Sequence, residues 1–166
     1  MMRRLLFGIG ATGVFVAALS CHPAGNGTRA SIAPDSLRGI VSITGTGFDQ
    51  QIVLRSDNGA TRLAVSAADS SALSRLGGVE ILVIGTRTGD RFQVDRFTAL
   101  RVAGSPVFDG ILRDDGGRLS LETAQGRMTL GNPPTALRNL IAARVWIGGP
   151  LDSGPNTFGV IVPPKK

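Results

Sequence analysis

One stretch of this chain occurs twice, and it limits the fold more than any other feature does. Residues 73–85, LSRLGGVEILVIG, align without a gap to residues 137–149, LRNLIAARVWIGG, at a constant separation of 64 positions. Leu73 and Leu76 return as Leu137 and Leu140, and Ile81 and Val83 return as Val145 and Ile147. The echo extends outward. Gly39-Ile40-Val41 recurs as Gly110-Ile111-Leu112, and Ile52 with Leu54 as Leu119 with Leu121. Arg62-Leu63-Ala64-Val65 recurs as Arg127-Met128-Thr129-Leu130, and Phe92 with Val94 as Phe158 with Val160. A repeat of this length carries several secondary-structure elements, so it implies a duplicated small domain and not a solenoid of short units.

Within each copy the apolar residues alternate with polar ones, the mark of strands with one buried face. Ser56-Asp57-Asn58-Gly59, Thr88-Gly89-Asp90 and Asp114-Asp115-Gly116-Gly117 supply turn chemistry between them. The alternation breaks at Asp69–Leu76, where Asp69 is the expected cap, Leu73 and Leu76 fall at i and i+3, and Gly77 is the expected stop. Asn132-Pro133-Pro134 is expected to open the second helix in the same place. Each copy thus reads strand, strand, strand, short helix, strand, strand.

That order resembles the OB-fold, a five-stranded Greek-key barrel. The resemblance covers about 60 residues in each half and rests on element order, without a diagnostic motif. It implies a mostly β chain of two small five-stranded OB-like barrels, residues 35–104 and 105–162, each with one short helix between its third and fourth strands, and a basic tail at 163–166. A pair of SH3-like barrels or one merged β-sandwich has the same strand count. Domains of this size bury too little surface to be comfortable alone, so the halves are expected to pack together.

The N-terminus reads as an address. Arg3 and Arg4 precede an uncharged apolar run from Leu5 to Leu19, 15 residues long. As a helix it would span ~22 Å, short of the ~30 Å hydrocarbon core, which fits a secretory signal better than a membrane span. The run ends Ala17-Ala18-Leu19-Ser20-Cys21. That pentapeptide resembles the lipobox of bacterial lipoproteins, with Ala18 where that family usually has Leu. The resemblance implies cleavage after residue 20, lipidation of Cys21, and a membrane anchor for whatever follows. His22 rather than Asp follows the cysteine, which in that family implies passage to the outer membrane, facing the periplasm. Residues 21–34 are the lipidated cysteine and a Gly/Pro/Ser-rich tether.

Composition removes several function classes. Cys21 is the only cysteine and His22 the only histidine, so the body has no thiol, no imidazole and no Cys-based zinc site. The net charge of +6 comes from 18 basic against 12 acidic residues, but Arg3, Arg4, Arg29, Lys165 and Lys166 lie in terminal or linker segments. The remaining 13 arginines are scattered among the same 12 acids, which is not the clustered stripe that nucleic acid requires. The outward positions of the second and third strands read Val53, Arg62, Ala64 and Ser66, then Arg118, Ser120, Arg127 and Thr129, with no aromatic to stack a base. No catalytic residue, metal site or cofactor is expected.

Trp146 is the one conspicuous outward residue. Its neighbours Val145 and Ile147 hold the inward parity, and its repeat partner is Leu82, with Ile84 on the same face. These three mark either the contact between the barrels or a binding face. The expectation is a non-catalytic, lipid-anchored envelope module whose partner is a protein, a glycan or a small ligand, with no nucleic acid. A hydrolase working with carboxylates or serine, and a purely structural envelope protein, are the competing readings.

Overall fold

The computed structural model describes residues 34–46 and 49–165; the expected signal sequence, Cys21, His22 and nearly all of the tether lie outside the described residues. The described chain is mostly β. Three strands, β1 (Asp35–Thr44), β2 (Gln51–Ser56) and β3 (Gly59–Ala64), lead into the helix α1 (Ala67–Ser74) and then β4 (Val79–Thr88) and β5 (Arg91–Val102). The order then repeats: β6 (Ser105–Asp115), β7 (Arg118–Thr123), β8 (Gly126–Thr129), α2 (Thr135–Arg138), β9 (Arg144–Gly148) and β10 (Thr157–Val162). All ten strands belong to one connected sheet, joined where β5 pairs with β6 through Arg101–Pro106 and Val102–Ser105.

The two halves pair differently. In the first, β1 pairs with β2, β2 with β3, β3 runs parallel to β5, β5 pairs with β4, and β4 returns to β1. The pairings form a closed ring. In the second, β8–β7–β6–β9–β10 form an open run, and no β8–β10 pairing occurs among the described residues. The cause lies in β10. Its register shifts between Val160 and Val162, and the residue between, Ile161, is fully buried in the core of the first half. A bulge turns the strand, and here it sends the end of β10 toward α1 instead of β8. Arg75, just past α1, donates to the Ile161 carbonyl at 3.4 Å. The β9–β10 connection takes up part of the gap, with Gly131 N–H donating to the Leu151 carbonyl at 2.7 Å.

Each half has its own core. Leu54, Leu73, Leu76, Ile81, Val83 and Phe92 centre the first, and Leu112, Leu119, Leu121, Leu137, Val145 and Ile147 the second. Burial of one such side chain is worth roughly 1.5–3 kcal/mol, so each cluster is the main support of its half. Matching backbone details accompany the matching cores. A Cβ on Gly39 would collide with the Arg55 carbonyl oxygen, and one on Gly110 would stand 2.5 Å from that of Glu122. Only glycine lets the strands approach so closely. Likewise Gly78 N–H donates to Val41 and Ala142 N–H to Leu112, both at 2.9 Å, from backbones with φ of 81° and 67°.

Four sequence expectations need correcting. Ser66, not Asp69, caps α1: its Oγ accepts from Asp69 N–H at 3.1 Å and donates to the Asp69 carboxylate at 2.7 Å. The cap and helix start therefore lie three residues earlier than expected, with α1 beginning at Ala67, and the positive φ that follows it belongs to Gly78 rather than Gly77. The second helix starts at Thr135 after Pro134, without a side-chain cap from Asn132. Finally, Val53 and Ser120 are buried, not outward and exposed. Ser120 is hidden because its Oγ donates to Asp115 at 2.6 Å, while Arg127 covers the same carboxylate.

Candidate functional site

A buried ion pair lies where the halves meet. Asp109 on β6 and Arg144 on β9 form a two-point pair, with Nε to Oδ1 and Nη2 to Oδ2 both at 2.8 Å. Asp109 Oδ2 also accepts from Ala99 N–H on β5 at 2.8 Å. Arg144 Nη2 donates to the Phe97 carbonyl at 2.6 Å, and its guanidinium sits 4.4 Å from the centre of the Phe97 ring. The Asp109 side chain is only 3% exposed. Three contacts thus tie β5 of one half to β6 and β9 of the other. A charge this buried is tolerable because every contact is hydrogen-bonded or stacked.

A cleft of about 670 Å³ opens beside the clamp, with Leu100 of β5 on one wall and Ile111, Phe108 and Met128 on the other. Arg144 and Glu122 supply its polar edge. Glu122 is held by Arg113 at 2.7 Å and has Arg127 at 3.8 Å. The hydrogen bond from Arg113 holds its carboxyl below the ordinary glutamate range. Asp109 and Glu122 are therefore two ion-paired carboxylates. The lowered carboxyl of Glu122 is the opposite of the raised one that a general acid needs.

Trp146, Leu82 and Ile84 differ in their packing. Trp146 is half-buried and packs against the first core, alongside Val107. Its indole lies over Gly159, where a Cβ would stand 2.5 Å from the ring. Leu82 and Ile84 are half-buried on β4, opposite Arg38 and Ser36 of β1 and Thr98 and Arg96 of β5. They are not among the side chains packed on either core. Phe158 is half-buried against the second core.

Sequence reasoning missed the clamp, although a signal exists. Arg38 precedes Gly39 as Asp109 precedes Gly110, and Glu80 and Arg144 stand at matching places in the long repeat. Arg38 and Glu80 pair across β1 and β4. Asp109 and Arg144 are the same two positions with their charges exchanged.

Elsewhere the acidic clusters serve the fold. Gly116 and Gly117 form the expected turn between Asp115 and Arg118, with Asp114 Oδ1 accepting from Gly117 N–H at 2.9 Å. No group of three or more potential metal-ligating side chains occurs among the described residues, and no described helix is long and apolar enough to cross a membrane.

No family model and no curated protein matches the chain. Among solved structures it is similar to a complex of TiaS with an isoleucine tRNA and ATP, with a TM-score of 0.34 and 12% identity over 79% of this chain and 31% of that one. A tRNA fluorescent labeling enzyme and apo TiaS, a tRNA agmatidine synthetase, each give 0.33 and 13% over 78% of this chain and 32% of theirs. The chain spans about a third of the length of these structures, and likenesses this faint carry no argument about function.

Proposed function

We propose that this protein is a non-catalytic binding or scaffolding module of the bacterial cell envelope, anchored by lipid at Cys21 and built from two duplicated OB-like barrels. The barrel reading is supported by the ring β1–β2–β3–β5–β4 with its parallel β3–β5 closure. Duplication is supported by Gly39 and Gly110, which admit no side chain against the same neighbouring carbonyl, and by the exchanged Arg38–Glu80 and Asp109–Arg144 pairs. The anchor is supported by the position of Cys21 after a 15-residue apolar run.

The observation that carries binding over catalysis is the junction itself. Its cleft is built by both halves, and its two carboxylates are neutralised by arginines. Clefts between packed domains are preferred ligand sites. The anchor is tested with Cys21→Ser, which should release the protein from membranes or leave a longer precursor, and should abolish fatty-acid labelling. Normal labelling of that variant would contradict the anchor. Cross-linking in intact cells, read by mass spectrometry, should capture envelope components. Recovery of cytoplasmic ones alone would contradict the compartment.

A further inference from the structure

A second cleft, of about 460 Å³, lies between the β5–β6 connection with the start of β6 and the end of β9 with the start of β10, and no charged residue lines it. The other clefts described each include at least one charged side chain. Trp146 forms one wall, Gly148 is the buried floor, and Phe108 stands at the rim with 40% of its surface exposed. Ser105, Asn156 and Thr157 complete it with neutral polar groups. The repeat shows how the space arises: where β4 has Leu82 and Ile84, β9 has Trp146 and Gly148. A Cβ on Gly148 would stand 2.6 Å from Thr157 Oγ1 and 3.4 Å from the Val107 side chain, so any other residue there fills the floor.

We infer that this cleft binds one ring of a neutral glycan, a pyranose stacked on the Trp146 indole and hydrogen-bonded by Asn156 and Thr157. The absence of charge in the lining argues against an ionic ligand, which would be desolvated without a counter-charge. An indole face is electron-rich and attracts the polarised C–H groups that one side of a pyranose presents. The hydroxyls of such a ring need donors and acceptors at its edge. Ser105, Asn156 and Thr157 are exposed, and their side chains make no hydrogen bond among the described residues, so these groups are open to solvent. A proline-rich peptide is the competing ligand, and deca-proline is included in the test for that reason. This inference names a ligand class for the binding module proposed above, yet it rests on a different cleft from the junction and needs no anchor.

Trp146 is the only tryptophan, so its emission reports on this site alone. The full-length chain, in a detergent without a sugar headgroup, is titrated with chitotetraose, maltotetraose, cellotetraose, tetragalacturonate and deca-proline. At least one neutral tetrasaccharide should shift the emission saturably, with half-saturation at about 1 mM or tighter. Asn156→Ala and Thr157→Ala should each weaken binding about fivefold to tenfold at an unchanged melting temperature, since each removes one hydrogen bond at an exposed position. Gly148→Val should abolish the shift. Should that variant unfold, the two alanine variants still decide the matter. No saturable response to any neutral tetrasaccharide would overturn the inference. So would a stronger response to tetragalacturonate or deca-proline, or wild-type affinity in both alanine variants. Normal membrane retention and fatty-acid labelling of Cys21→Ser, with these titrations intact, would count against the anchor and leave the glycan site standing.

Discussion

The pairs Arg38–Glu80 and Asp109–Arg144 occupy the same two strand positions in the two halves, and they live in different surroundings. In the first half the Arg38 side chain is 52% exposed and Glu80 25%. In the second, β5 of the first half covers the pair, and Asp109 falls to 3%. The neighbouring position follows suit: Leu82 is packed on no core, while Trp146 lies against the core of the opposite half. One face has thus become an interface in the second half, and the matching face of the first half has remained a surface. The strand rings agree with this. The first half closes on itself, and the second leaves β10 free to deliver Ile161 into the core of its neighbour. An element that can close its own ring needs no partner; one that gives away its last strand does.

The largest difference is expected between Asp109→Ala and Arg38→Ala. Removing Asp109 strands a half-buried arginine and an unpaired Ala99 N–H, and breaking a buried pair typically costs ~3–5 kcal/mol. Arg38→Ala removes the exposed partner of a surface pair, so its loss should be much the smaller of the two. Chemical denaturation of both variants measures the gap, and equal losses would break the comparison. Next, Trp146→Ala should cost about 2–3 kcal/mol, below the ~3–5 typical of a fully buried aromatic, because the ring is half-buried. Leu82→Ala should cost about 1 kcal/mol, since only part of its side chain leaves water. Melting temperatures would show the order.

A smaller effect with opposite signs is expected at the residue before β4 and its counterpart before β9. Gly78 and Ala142 make the same hydrogen bond at positive φ, so Gly78→Ala should lose about 1 kcal/mol and Ala142→Gly gain up to that amount. Loss in both would mean that the two backbones are not equivalent. The smallest effect concerns acid. Hydrogen bonds from Arg38 and Arg113 hold Glu80 and Glu122 below their ordinary range. A depressed carboxylate adds stability that is present above the unfolded pKa, about 4.3, and is lost as pH falls through the lower folded value. Melting temperature should therefore fall modestly below about pH 4, and less steeply in Glu122→Gln. A steeper fall in that variant would remove Glu122 from the explanation.

The order of elements was legible because both copies carry strong period-two runs and turn residues at the right places. Asp57-Asn58 and Gly116-Gly117 do form the two-residue connections that those residues suggest. Local competition decided the helix start, where Ser66 and Asp69 bond each other and either could have been named the cap. Parity failed at Val53 and Ser120 because strict alternation assumes that one face meets water, and both residues are covered from outside. The clamp lay furthest from view. Asp109 and Arg144 are 35 residues apart, and no spacing rule links two charges on separate strands. Only the comparison of repeats, with both signs exchanged, would have pointed to it.

Native-state hydrogen exchange on the full chain, in rising but sub-denaturing guanidinium, tests most directly whether the second half depends on the first. Amides of β7 and β8 should open at a lower free energy than those of β2 and β3, and Asp109→Ala should widen that gap while leaving β2 and β3 nearly unchanged. Equal opening energies in the two halves, or first opening in β1–β3, would contradict the dependence of the open half on the closed one.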